Sequence, residues 1–391
     1  MNRDTIAGYF PELQAIRHDL HRHPELLFDL PRTSSVVARE LASYGYQVTY
    51  GLAGTGVIGT LVNGAGPRSI GIRADMDALP IHETTNLPYA SRTPGKMHAC
   101  GHDGHTTMLL GAARYLAETR EFDGTLHLIF QPAEEDISGA KRMIAEGLFQ
   151  RFACDAVFAL HNMPGDDPGR VTVRPGAITA AVDIIRAVIR GVGGHGALPH
   201  QAVDPIVAAS AVVLALQSIV ARNIDPHDPV VITVGGFNAG SLATVIPEEA
   251  VLNIGLRTCS KPVRTLALQR LNDLITAQAQ AFGCLAEIDL GEGGVSYPPG
   301  FNSAAEAALV RETAIELGQS PASVDLRGPI MFSEDFAFMQ EVVPSCYFGL
   351  GNGQSRSLHD PGYDFNDELL IHGPAFWARL VERFLPLHAK T

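Results

Sequence analysis

The feature that most constrains the fold is a repeated one. Short apolar segments each end in a polar residue, and helical stretches separate them. Residues 68–75 end in Asp75, residues 124–131 run into Pro132-Ala133-Glu134-Glu135, and residues 155–161 end in His161. Apolar runs alternating with helices are the pattern of a parallel sheet covered on both faces. Open α/β sheets bind ligands at the carboxyl ends of their strands. The chain is therefore expected to gather these strand-end groups at one edge of an α/β sheet.

Between the first two segments lies His98-Ala-Cys100-Gly-His102-Asp103-Gly-His105, with one thiol, three imidazoles and a carboxylate in eight residues. Thiolate and imidazole suit borderline divalent metals. A helix is expected from Gly104 to Thr119, capped by Asp103. Its dipole would favour the Cys100 thiolate.

A chain of 391 residues suggests about two domains. Its net charge of −13 argues against nucleic acid, which needs a basic footprint. The first twenty residues lack the apolar core of a signal peptide, and the apolar runs read as too short for a bilayer. No membrane partner is therefore expected. Five scattered cysteines, an odd number, suit reduced thiols and a cytoplasmic location.

Gly54-Thr-Gly56-Val-Ile-Gly59 matches a dinucleotide pattern but runs into a strand rather than a helix, so no nucleotide site is expected. After residue 181 the pattern changes. A strand at 182–190 alternates, and a glycine-rich turn carries His195 and His200. Asp204 caps a helix to Arg222, strands follow near 229–236 and 249–257, then a helix at 260–282 and a strand at 285–290. That order reads as an inserted α+β, ferredoxin-like sandwich over 182–292. The larger α/β domain takes 1–181 and 293–391, with a helix at 302–317, a strand at 345–350, a glycine-rich turn at 349–353, His359 in an acidic loop and a closing helix.

Cys100, His102, Glu135, His161 and His359 make five candidate ligands. One open zinc site needs three protein ligands, so five fit two metals sharing a bridging group. Neighbours on extended backbone point apart, so Glu135 can coordinate while Glu134 stays free as a base. Taken alone, the pair also reads as a solvated acidic turn, and His195 and His200 as turn residues.

The motifs His21-Arg-His-Pro-Glu25, Arg73-Ala-Asp-Met-Asp-Ala-Leu-Pro80, Met97 to His105, Phe130-Gln-Pro-Ala-Glu-Glu135, Leu160-His161-Asn, Gly194 to His200, Ser333-Glu-Asp-Phe336 and Leu358-His-Asp-Pro361 run in order along the whole chain. They resemble the metal-dependent amidohydrolases that include hippurate hydrolases, N-acyl-amino-acid amidohydrolases and indole-acetyl-amino-acid hydrolases. The resemblance implies a zinc-peptidase-like mixed sheet flanked by helices, with an inserted lid that usually dimerises. It implies two metals on Cys100, His102, Glu135, His161 and His359, with Glu134 as general acid/base. It further implies that His195 steadies the tetrahedral oxyanion in the partner's active site, and that Asp75 orients the centre from behind. His200 is a weaker candidate. Thr244 stands where the family usually has a substrate-binding asparagine. Arg257 is a candidate anchor for a substrate carboxylate, since guanidinium pairs bidentately with one, or else a solvent-facing strand arginine.

The expected reaction is cleavage of an N-acyl amino acid, with Zn, Mn, Co or Ni as the metal and a homodimer as the assembly. The alternatives are a dipeptidase or carboxypeptidase using the same centre, and a ligand-binding protein on an inactive scaffold.

Overall fold

The computed structural model describes residues 1–135, 139–290 and 296–387. They form two compact units. The first comprises Met1–Ile178, Phe301–Gly328 and the chain from Asp335 onward; the second comprises Thr179–Gly300 and Pro329–Glu334. The domain boundary expected at 292/293 lies outside the described residues.

In chain order, after a short N-terminal helix (Arg3–Gly8), the first unit has helices α1 (Phe10–Arg22) and α2 (Pro31–Ser43). Strands β1 (Gln47–Leu52), β2 (Gly56–Asn63) and β3 (Ser69–Asp75) follow, then α3 (His102–Thr119), β4 (Gly124–Gln131), β5 (Ala156–Pro164) and β6 (Val171–Thr172). The second unit holds β7 (Ala181–Arg190), β8 (Gly194–His195), α4 (Pro205–Arg222), β9 (Val230–Ala239), β10 (Val245–Ile246), β11 (Glu249–Thr258), α5 (Lys261–Ala281) and β12 (Leu285–Asp289). The first unit resumes with α6 (Ala304–Glu316), β13 (Ser345–Gly353) and α7 (Leu369–Phe384).

The first unit's sheet has the order β1-β2-β4-β3-β5-β13-β6. Its middle strands β4, β3, β5 and β13 are parallel, and antiparallel pairs close both edges. The parallel strands are almost wholly buried, as expected when helices cover both faces. The parallel arrangement turns their carboxyl ends to one side, which carries Asp75, the loop to Glu135, His161 and the loop to His359. The second unit's main sheet runs β9-β11-β7-β12, all antiparallel, and α4 and α5 share its core through Ala208, Val212, Leu216, Leu271 and Ile275. This is the expected strand-helix-strand-strand-helix-strand sandwich.

Four local expectations are corrected. Helix α3 begins at His102 with Gly101 as its N-cap, and Asp103 lies inside the first turn. The Asp103 carboxylate instead accepts from His21 Nδ1 at 2.8 Å. The glycine-rich run 349–353 continues β13 as buried strand, paired along β5 rather than turning. The strip Pro329–Glu334 belongs to the second unit, where Ala180 N–H donates to the Phe332 carbonyl. Finally, α4 is long and apolar enough by length and composition to cross a membrane; its buried side is explained by the packing of Ala208, Val212, Leu216 and Ile219 into the sandwich core.

Candidate metal centre

The local backbone explains how the side chains converge. Gly101 holds φ at +91°, and a Cβ there would lie 2.4 Å from Asn162 Oδ1, so only glycine permits the turn between Cys100 and His102. Ala133 adopts φ +53° and His359 φ +65°, both uncommon for side-chain-bearing residues, and each aims a functional loop. The His359 N–H is fixed to the Ala99 carbonyl at 2.8 Å, tying that loop to the cysteine loop.

Donor atoms of Cys100, His102 and His161 lie within 4.8 Å of one another, as do those of Cys100, Glu135 and His359, and those of His102, Glu134 and Glu135. Cys100 Sγ is 3.3 Å from His161 Nε2, and His359 Nε2 is 3.4 Å from Glu135 Oε1. All five expected ligands are therefore gathered, with Glu134 among them. Cys100 belongs to two of the triads.

Hydrogen bonds set which imidazole atoms face inward. His102 Nδ1–H donates to the Asp77 carbonyl at 2.9 Å, and His161 Nδ1–H to the Asn162 carbonyl at 2.8 Å. A carbonyl only accepts, so in the neutral rings each Nε2 carries a lone pair toward the cluster. His102 Nε2 is buried without a hydrogen bond, with Asp75 Oδ2 at 3.8 Å and Glu135 Oε1 at 4.0 Å. A buried, unbonded ring nitrogen among thiol, imidazole and carboxylate donors fits a divalent cation.

The surrounding charges make the cluster a place that attracts positive charge. Burial disfavours the His102 imidazolium, yet Asp75, Asp77 and Glu135 outweigh it and push its pKa up to about 10. The same acids attract any cation facing that nitrogen. Burial, reinforced by His105, holds His161 neutral, the form a ligand requires. Burial pushes the Cys100 thiol well above its usual range, with Glu135, Glu134 and Asp75 adding to it. The helix dipole expected to favour the thiolate is thus outweighed, and a bound cation is what would stabilise it.

Asp75 accepts from His105 Nδ1 and Arg73 Nη1, each at 2.6 Å, and Arg73 also reaches Asp335 at 3.0 Å. Burial opposes its ionised form, but His102, Arg73 and His105 hold its pKa well below the usual range.

The functional residue missed in the sequence is Asp77, read there as part of a turn. Its carboxylate accepts the backbone N–H of Glu134 at 3.0 Å and of Glu135 at 3.1 Å, while its carbonyl holds His102. One buried residue thus positions two carboxylates and an imidazole. The available signal was a second acid two residues beyond the strand-end Asp75, in an otherwise apolar turn.

In the second unit, β8 pairs with β10 so that His195 opposes Val245, and Gly196 N–H donates to the Thr244 carbonyl at 2.8 Å. Thr244 is thereby brought beside the His195 turn. His195 is exposed, and its Nδ1 accepts from Ala197 N–H at 3.0 Å, leaving Nε2–H as the donor of the neutral ring. His200 is exposed on the following turn, and no hydrogen bond joins it to His195 among the described residues. Arg257 Nη1 donates to the Met331 carbonyl at 3.0 Å and Ser333 Oγ at 3.1 Å, so it is half-buried rather than solvent-facing.

A buried cluster of metal-type donors at the carboxyl edge of a parallel sheet, in a chain that also carries a ferredoxin-like sandwich, describes a metallohydrolase. The family model of peptidase family M20/M25/M40 matches residues 71–383, and the chain belongs to this family. It is 42% identical to a hippurate hydrolase of Campylobacter jejuni, over 96% of this chain and 97% of that protein. It is 37% identical to an N-acetyl-L-cysteine deacetylase of Bacillus subtilis, over 98% and 91%. Among solved structures, a dinuclear metal-binding peptidase of the M20 family from Bacillus subtilis superposes with a TM-score of 0.84 at 31% identity, covering 97% of this chain and 99% of that one.

Proposed function

We propose that the chain is an amidohydrolase that cleaves N-acyl amino acids to a carboxylate and a free amino acid. Two divalent ions would be held by Cys100, His102, Glu135, His161 and His359. The observation that carries this reading is the convergence of those five donors on Cys100 and Glu135 beside buried Glu134. Cys100 and Glu135 each belong to two of the donor triads, so the five side chains would form one continuous site for the ions. When bound, the ions supply Lewis acidity that polarises the amide carbonyl and lowers the pKa of a water.

The chain's residues do the rest. Glu134, whose backbone Asp77 pins, takes the proton of the attacking water and delivers it to the leaving nitrogen. In the proposed dimer, His195 of one protomer offers Nε2–H to the oxyanion developing in its partner's site. Arg257 pairs with the substrate carboxylate, and Thr244 adjusts specificity from beside His195. The acyl-amino-acid substrates named for the hippurate hydrolase and the deacetylase favour this reading over a dipeptidase.

We further propose a homodimer built through the second unit, supported by its exposed apolar residues: Leu214 is 75% and Val207 50% exposed on α4, and β9 is an edge strand. All five cysteines are free, in keeping with a cytoplasmic location.

The test is a reconstitution screen. Chelator-stripped protein is loaded with Zn, Mn, Co or Ni and assayed on N-acetyl, N-benzoyl and indole-acetyl amino acids and on dipeptides. Metal-dependent release of amino acid from acylated substrates is expected. Cleavage of dipeptides alone would replace this reading with the peptidase one.

A further inference from the structure

The run His21-Arg-His-Pro-Glu25 supplies no donor to the metal-type cluster, yet it is bonded to both chain segments that carry Asp77 and His102. Helix α1 places Arg17 and His21 one turn apart on its buried side. His21 Nδ1 lies 2.8 Å from Asp103 Oδ2, and its Nε2 3.3 Å from Glu83 Oε1. Just past the helix, the Glu25 carbonyl accepts from Ala78 N–H at 2.9 Å, next to Asp77.

The two carboxylates facing His21 are themselves buried. Burial disfavours the imidazolium, but Asp103 and then Glu83 outweigh it and push the His21 pKa up to about 9. Each ring nitrogen therefore donates to a different carboxylate. The two contacts lead to different places. Glu83 belongs to the irregular stretch 80–96, where it also accepts from Ser91 N–H at 2.6 Å. Asp103 lies in the first turn of α3 and directly follows His102. Successive side chains on a helix point about 100° apart, so fixing Asp103 fixes the rotation of that turn and with it the direction of His102. Hydrogen bonds behind a metal site act on its ligands in this way.

We infer that His21 is a positioning residue for the proposed metal centre, acting on His102 through Asp103. This rests on the metal-binding reading and holds whichever amide is cleaved. The experiment titrates Zn²⁺ against a chromophoric chelator on the full chain, as wild type, His21→Ala, His21→Asn and His21→Gln. Asparagine sets an amide N–H where Nδ1 stands and glutamine where Nε2 stands, so the first keeps the bond to Asp103 and the second the bond to Glu83. Arg17 Nη1, 3.7 Å from Asp103 Oδ2, stays beside that carboxylate in every variant, so the comparison isolates the hydrogen bond. Zn²⁺ affinity falls about 10–100-fold in His21→Ala and His21→Gln, and stays within about fivefold of wild type in His21→Asn. Thermal unfolding of the chelator-stripped proteins checks that each variant folds; if His21→Ala does not, His21→Asn and His21→Gln decide. Affinity in His21→Asn no better than in His21→Gln, whether both are kept or both lost, overturns the role through Asp103 and leaves the metal centre standing. A wild-type chain that binds no Zn²⁺ overturns the metal centre, and the inference with it.

Discussion

The carboxyl edge of the first unit's sheet and the His195 turn of the second unit both present histidines, but they hold them by different means. At the sheet edge the imidazoles of His102 and His161 are buried, and each has one nitrogen fixed by a backbone carbonyl. In the turn, His195 is exposed and is placed by a two-residue ladder and the Ala197 N–H. Burying ionisable groups forces them to be paired, and the pairing itself makes the site rigid. An exposed histidine is under no such demand, so only its backbone locates it. On the proposed function, the buried region would hold the cations and move a proton, and the turn would present a single donor.

The largest test of this contrast removes the proton carrier. Glu134→Gln keeps the shape and the Asp77 contact, which is made through backbone. It should lower kcat by about 10²–10⁴-fold while metal content stays at the wild-type level. Turnover near wild type would break the assignment.

His195→Ala should lower kcat by about 10²–10³-fold, the range for losing one oxyanion donor. Metal content by elemental analysis should be unchanged, since no buried donor is touched. Loss of metal from this variant would erase the proposed division between the two regions.

The buried region is sharpened by Asp77→Asn. Asparagine offers one acceptor oxygen where the carboxylate offers two, so the N–H of Glu134 or Glu135 loses its partner. Metal affinity, measured by competition with a chelator, should fall about 10–100-fold. Unchanged affinity would mean the loop keeps its form without the clamp.

The same contrast explains what could be read in the sequence. Strands ending in Asp75, Gln131 and His161 were visible because an apolar run and its polar terminus are adjacent in the chain. The candidate ligands Cys100 and His102 are legible because they stand two residues apart in one short loop. Asp77 was not, because its meaning lies in two N–H groups 57 and 58 residues away. Asp103 looked like a helix cap because local sequence cannot reveal that His21, 82 residues earlier, supplies its partner. The glycines 349–353 suggested a turn, whereas close neighbours explain them: a Cβ on Gly349 would meet Thr172, and one on Gly351 the Asp167 carbonyl. The Pro329–Glu334 strip carries no local sign that it joins the second unit.

The smallest effect concerns stability and separates burial from catalysis. His127 on β4 is buried outside the donor cluster, with Thr60 Oγ1 at 2.9 Å from its Nδ1. Burial depresses its pKa from 6.5 to about 4. Below pH 6.5 the unfolded chain takes up a proton that the folded chain refuses until about pH 4. The stability linked to the neutral ring is thus fully present above 6.5 and is lost progressively down to about 4. One pH unit of such a difference is worth about 1.4 kcal/mol, so between pH 6.5 and 5 the loss approaches about 2 kcal/mol. His127→Gln cannot take up that proton. Its unfolding free energy from denaturant titration should therefore fall less across the same interval than that of the wild type. A parallel decline in both proteins would place the acid sensitivity elsewhere, with the histidines of the donor cluster the first to examine by repeating the titration on metal-loaded protein.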